Sequence, residues 1–186
     1  MPFPVCPWWM GYFLGSRLRR WMQNPDRIVG PYVKPGQTVA DIGCGPGLFA
    51  VAMAKLVGPT GRVIAIDIQQ KMLDMVRRRA TREGVVGQID LRQCQADTLG
   101  LALPEVDFVL AMAVIHEVPN RQRLMTEVAA ALKPTGLFLI CEPRMHVWQK
   151  NFAKTLRAAQ KAGLEPVEEP RVSLMTRTVL LRKAAK

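Results

Sequence analysis

Val39-Ala40-Asp41-Ile42-Gly43-Cys44-Gly45-Pro46-Gly47 is the stretch that decides the fold. It reads as a buried strand running into a glycine-rich turn and then a helix. An acid, Asp67, closes the next strand, Arg62-Val63-Ile64-Ala65-Ile66-Asp67. Glycines let a ligand press against backbone with no Cβ in the way. The helix that follows offers free N–H groups and the positive end of its dipole. A carboxylate at the tip of the second strand can accept two hydrogen bonds from a ribose. Together these features describe a nucleoside-binding cleft.

Outward from this stretch, strand and helix signals alternate, which implies a mainly parallel sheet covered on both faces. Strands are expected at 37–42, 62–67, 88–94, 106–112 and 137–141. A closing pair at 165–173 and 176–183, joined near Met175-Thr176, reads as an antiparallel hairpin. Helices are expected at 47–57, 69–83, 121–132 and 147–162. The second places Met72, Leu73, Val76 and Ala80 on one face and Arg77, Arg78 and Arg82 on a solvated face. Asn120 can cap the third, with Leu124, Met125, Val128 and Leu132 inward, and Gly163 can end the fourth. The fold class is therefore α/β: a Rossmann-like, doubly wound, seven-stranded sheet, mostly parallel with a C-terminal antiparallel hairpin. The expectation is a single domain over 1–186, with 1–30 an N-terminal helical lid or cap.

The ligand's chemistry follows from two departures. A dinucleotide fingerprint wants its third glycine or alanine three positions after the second, where this chain has Leu48. Asp41, two residues before the first glycine, would repel a pyrophosphate but suits a cationic ligand with an ammonium or sulfonium group. The pattern resembles motif I of the class I S-adenosylmethionine (SAM)-dependent methyltransferases, in which an acidic strand end leads into Gly-x-Gly-x-Gly. Ala96-Asp97 resembles that family's adenine-contacting motif, Val106-Asp107-Phe108-Val109-Leu110 its fourth strand, and Leu132-Lys133-Pro134-Thr135-Gly136 the turn before its fifth. The likeness covers roughly residues 30–142 and, once the nucleic-acid subclasses are set aside, the pattern resembles the broad ubiquinone/menaquinone-biosynthesis-like and small-molecule group.

The resemblance implies a set of roles. Gly43, Gly45, Gly47 and Asp41 would hold the methionine portion of SAM, and Asp67 the ribose hydroxyls. Ile68 would pack on adenine, Asp97 would meet its amino group with Thr98 adjacent, and Ala113 would flank the methionine end. Cys44, read as a small filler rather than a nucleophile, and Met72 complete the expected cofactor-binding set. His116, in Ala113-Val114-Ile115-His116-Glu117, falls where many small-molecule methyltransferases carry a histidine, and is the candidate base. Glu117 reads as a dipole or salt-bridge residue, and Glu142 as an acid on the cleft side. The expected reaction is in-line methyl transfer to a small-molecule or lipid-like acceptor, with SAM as cofactor.

Composition narrows the partners. Lys plus Arg number 26 against 15 Asp plus Glu, a formal charge of +11. Such a surface attracts nucleic acid, anionic lipid or acidic small molecules, so an RNA methyltransferase is a second reading. The Asn/Asp-Pro-Pro-aromatic motif of amino-methylating nucleic-acid enzymes is absent at the fourth strand, where Leu110-Ala111-Met112-Ala113 stands. A third reading is a non-catalytic, methyltransferase-like partner or membrane-surface module. It rests on Trp8, Trp9, Tyr12 and Phe13 crowded before Arg17, Arg19 and Arg20, and makes 8–22 a possible site of peripheral membrane contact.

Cys6, Cys44, Cys94 and Cys141 are widely spaced, which suits free thiols in a reducing compartment. His116 and His146 supply no metal-ligand spacing, so no metal is expected. No secretory signal is evident at Met1-Pro2-Phe3-Pro4, and no apolar stretch reaches the ~18–20 residues that span a bilayer. The expected location is the cytoplasm.

Overall fold

β1 (Thr38–Ile42) is buried from Val39 onward, as a central parallel strand covered on both faces must be. The computed structural model describes residues 24–100, 106–145 and 147–184. The expected lid over most of 1–30, the membrane-contact segment 8–22 and His146 therefore lie outside the described residues, apart from the lid's last few positions. The described residues divide into two compact units, meeting in sequence at Cys94 and Gln95.

Among the described residues, the unit ending at Cys94 opens with α1 (Pro25–Val29), capped by Asn24, whose side-chain oxygen accepts from the N–H groups of Asp26 and Arg27. β1, α2 (Leu48–Val57), β2 (Arg62–Asp67), α3 (Gln70–Arg82) and β3 (Ile89–Gln93) follow. β2 pairs in parallel with β1, Asp41 opposite Ala65, and with β3, Asp67 opposite Gln93. α2 is buried almost all round, from Leu48 to Ala54 and at Val57. α3 is amphipathic: Met72, Leu73, Val76 and Ala80 are buried, while Arg77, Arg78 and Arg82 are exposed.

The unit starting at Gln95 contains β4 (Val106–Met112), α4 (Arg121–Ala131), β5 (Leu132–Pro143), α5 (Gln149–Lys161), β6 (Leu164–Glu168) and β7 (Thr176–Lys183). β4 runs parallel to β5, with Met112 opposite Cys141. β7 is antiparallel to β5 and to β6. The seven strands have the sheet order β3-β2-β1-β4-β5-β7-β6, the expected mixed sheet. Asn120 caps α4 by accepting from Arg123 N–H. Among the described residues no helix is long and apolar enough to cross a membrane.

Two boundaries differ from the sequence reading by more than two residues. β5 starts at Leu132, not Leu137, directly after α4. The expected turn at Lys133–Gly136 survives as an excursion inside the strand: the register jumps from Val106↔Leu132 to Phe108↔Leu137. Gly136 permits it, because a Cβ there would stand 2.9 Å from Val106 O and 2.8 Å from Leu132 Cδ2. Lys133 Nζ fixes it by donating to both oxygens of Asp107, at 2.8 and 2.9 Å. The first strand of the hairpin ends at Glu168 rather than 173. Pro170 has no N–H for the ladder, and residues 169–175 form a loop.

Candidate functional site

In the first unit, Gly43, Gly45 and Gly47 all adopt positive φ, at 64°, 51° and 81°. The turn is closed by Cys44 N–H donating to Ile66 O (3.0 Å) and Gly47 N–H to Cys44 O (3.1 Å). The last two glycines serve different ends. A Cβ on Gly47 would meet Val76 Cγ2 at 3.0 Å and Cγ1 at 3.1 Å, so this glycine lets α2 pack on α3. A Cβ on Gly45 would meet nothing within 4 Å among the described residues, so that backbone borders open space there.

Asp67 governs the turn. One carboxylate oxygen accepts from Gly45 N–H at 3.0 Å and the other from Gln69 N–H at 2.9 Å. The side chain is buried, and burial raises its pKa from the ordinary aspartate value, opposed by the N–H groups of Gln69, Gly45 and Ile68. Each carboxylate oxygen has a second lone pair, so a carboxylate already oriented by backbone can still take two hydroxyls. Asp41 is buried near the end of β1. Cys44 is also buried, and its pKa is driven up by burial and by the charges of Asp41 and Asp67, which keeps it a thiol. Ile68 is half-buried beyond the tip of β2, and Met72 is buried on the inner face of α3. A glycine cradle open at Gly45, beside two buried acids, fits an adenosine carrying a cationic sulfonium.

In the second unit, Asp97 is 60% exposed at its side chain and bonds Arg123 Nη1 at 2.9 Å. Thr98 Oγ1 accepts from Gly100 N–H. Ala113, immediately after β4, has φ 56°, a left-handed conformation that costs a non-glycine residue about 1–2 kcal/mol. Its N–H donates to Cys141 O at 2.7 Å.

The residues after Ala113 converge on Glu142. This carboxylate is 1% exposed. Its Oε1 accepts from Val114 N–H at 3.1 Å and Ile115 N–H at 2.9 Å, and its Oε2 lies 2.6 Å from His116 Nδ1. A carboxylate only accepts, so Nδ1 carries the proton and Nε2 of the neutral ring is the basic atom. The hydrogen bond to Glu142 raises the His116 pKa above its ordinary value. Burial opposes this, the charges of Glu142 and Glu117 add to it, and Arg121 subtracts from it. Glu117 Oε1 lies 3.9 Å from Nε2. Beside Glu142, burial and that negative charge push the Cys141 thiol up to about 12.

Glu142 is thus bonded to the loop and to His116. Sequence reading placed it on the cleft side but did not pair it with His116. The pairing depends on the β4–β5 register, Met112 opposite Cys141, which no local spacing encodes.

Comparison with known proteins agrees with this architecture. The family model described as "Methyltransferase domain" matches residues 39–136. The ubiquinone/menaquinone biosynthesis C-methyltransferase UbiE of Hydrogenovibrio crunogenus is 32% identical over 124 residues, covering 67% of this chain and 48% of that protein. The chain spans about half the length of the curated relatives it matches. A SAM-dependent methyltransferase from Aquifex aeolicus superposes with a TM-score of 0.87 at 19% identity, over 97% of this chain and all of that one. The [4+2]-cyclase SpnF superposes at 0.75 and 17% identity, over 92% and 84%, so the fold alone does not fix the reaction. The family match covers more than half of the chain: it belongs to the methyltransferase domain family, with the class I fold of SAM-dependent enzymes.

Proposed function

We propose that the protein transfers the methyl group of SAM to a small or lipid-like acceptor, first among them the ring of a quinone-type aromatic in its reduced, hydroxylated form. The names of its curated relatives support the quinone class over RNA. When bound, SAM supplies a methyl group on a cationic sulfur whose thioether leaves readily.

The chain's own residues have four tasks. Gly45 gives a backbone surface with no side chain in the way, and Asp67, oriented by Gly45 and Gln69, accepts the ribose hydroxyls. Gly43 and Asp41 hold the methionine end, Gly47 lets α2 pack on α3 beside it, Cys44 is filler, and Ile68 and Met72 lie on the adenine side. Asp97 and Thr98 serve the adenine amino group and Ala113 the methionine end. His116 Nε2 takes the proton from the acceptor's hydroxyl as the nucleophile attacks, and Glu142 holds the tautomer and stabilises the imidazolium that forms.

The observation that carries the reading is the Asp67 carboxylate bonded to Gly45 N–H within a turn open at Gly45. A cytoplasmic location belongs to the same proposal, supported by the free thiols Cys44, Cys94 and Cys141. The test is transfer of labelled methyl from SAM to reduced quinones, simple phenols and RNA. Label on the quinol supports the proposal. Label on RNA alone, or on none of the three, rejects the acceptor class.

A further inference from the structure

Six large apolar side chains are exposed among the described residues, and four of them sit on two loops of the second unit. Met145 (73% exposed) and Trp148 (76%) follow β5; Leu174 (91%) and Met175 (57%) precede β7. The loops are tied together rather than merely close. Arg144 N–H donates to Met175 O at 2.8 Å, and Arg144 Nε to Thr176 O at 3.1 Å. Arg177 Nε donates to Val147 O at 3.3 Å. Within the second loop, Ser173 O accepts from Thr176 N–H and Oγ1, and Ser173 Oγ accepts from Met175 N–H. These bonds hold both loops in shape while their apolar side chains stand in water. Folding does not reward that arrangement.

The charge around the loops has one predominant sign. Arg144, Lys150, Lys154 and Arg171 are exposed, Arg177 is half-buried, and Glu169 is the one exposed acid within 144–154 and 169–177. An indole and three aliphatic chains set among basic side chains match the interface of an anionic bilayer. Aromatic and aliphatic groups enter the headgroup region there, and cations meet the phosphates. The placement is also directional. Pro143 pairs with Thr176 and Glu142 with Arg177. The loops therefore leave the carboxyl end of β5, next to the Glu142 that bonds His116.

We propose that Met145 and Trp148 after β5, with Leu174 and Met175 on the loop at 169–175, form a peripheral docking surface for anionic lipid bilayers. Docking by this surface turns the His116–Glu142 edge of the second unit toward the membrane, where a lipid-like acceptor is dissolved. That consequence rests on the acceptor class proposed above; the docking itself does not.

The test is co-flotation of the full chain with phosphatidylcholine vesicles, with and without phosphatidylglycerol, across a salt series. The wild type floats with the anionic vesicles and releases as salt rises. Trp148→Ser with Leu174→Ser, and separately Arg171→Glu with Lys150→Glu, each lower partitioning by about tenfold or more. SAM binding, followed by calorimetry on the same samples, stays at the wild-type level in both variants, so failure of docking and failure of the cofactor reading are read separately. Absence of flotation overturns the proposal. So does equal flotation of wild type and variants, which would put membrane contact elsewhere. A wild-type dimer in sedimentation that the Trp148/Leu174 variant abolishes would also overturn it, by assigning the patch to a second copy of the chain.

Discussion

Glu142 Oε2 stands 2.6 Å from His116 Nδ1 while Oε1 of the same carboxylate holds the N–H groups of Val114 and Ile115. One buried acid therefore sets both the loop's backbone and the imidazole tautomer. Glu142→Gln separates the two tasks. A glutamine oxygen can still accept from Val114 and Ile115, but its amide donates toward Nδ1 and moves the ring proton to Nε2. The expected result is a folded protein with wild-type SAM affinity and a kcat lower by roughly 10²–10⁴, not recovered at high pH. Single-turnover methyl transfer together with SAM titration checks it; wild-type kcat would exclude His116 as the base.

The same pair has opposite pH signatures in stability and in rate. The His116 pKa is raised in the folded protein, chiefly by the bond to Glu142. Its contribution to stability is fully present below the unfolded imidazole value of 6.5 and is lost as pH rises through the folded value. Urea midpoints should thus show the gap between wild type and His116→Gln closing as pH rises across that window. The base works only when neutral, so methyl transfer should rise with pH over the same window.

Gly45 and Gly47 should fail differently when given a methyl group. Both have positive φ, so alanine costs about 1–2 kcal/mol at either position. Gly47→Ala also drives its Cβ to within 3.2 Å of three Val76 atoms, adding roughly 1–3 kcal/mol of overpacking. Gly45→Ala meets no atom of the described residues within 4 Å, but fills the space assigned to the cofactor. Chemical denaturation should rank Gly47→Ala as the less stable. SAM titration should rank Gly45→Ala as the weaker binder, by roughly 10–100-fold.

The strand–glycine–helix unit was legible because its signals are local. Apolar runs, glycines and a closing acid lie within thirty residues, and the helix bounds at Leu48–Val57 and Gln70–Arg82 fall within one residue of expectation. The start of β5 was not, because Lys133-Pro134-Thr135-Gly136 carries turn chemistry that tertiary pairing absorbed as an excursion. Nor was the Glu142–His116 bond, made across 26 residues by strand register. The exposure of Trp148 and Leu174 was equally hidden: local pattern ranks an apolar residue as core and cannot see that no element of the described residues covers it.

Binding of SAM by wild type and by Asp67→Ala is the most direct test of the central claim. Asp67 aligns the open turn through Gly45 and Gln69 and is assigned the ribose hydroxyls. Calorimetry should give saturable one-site binding of SAM and S-adenosylhomocysteine to the wild type, weakened by about 100-fold or more in Asp67→Ala. Absence of binding to the wild type, or equal affinity in the two proteins, would contradict the account.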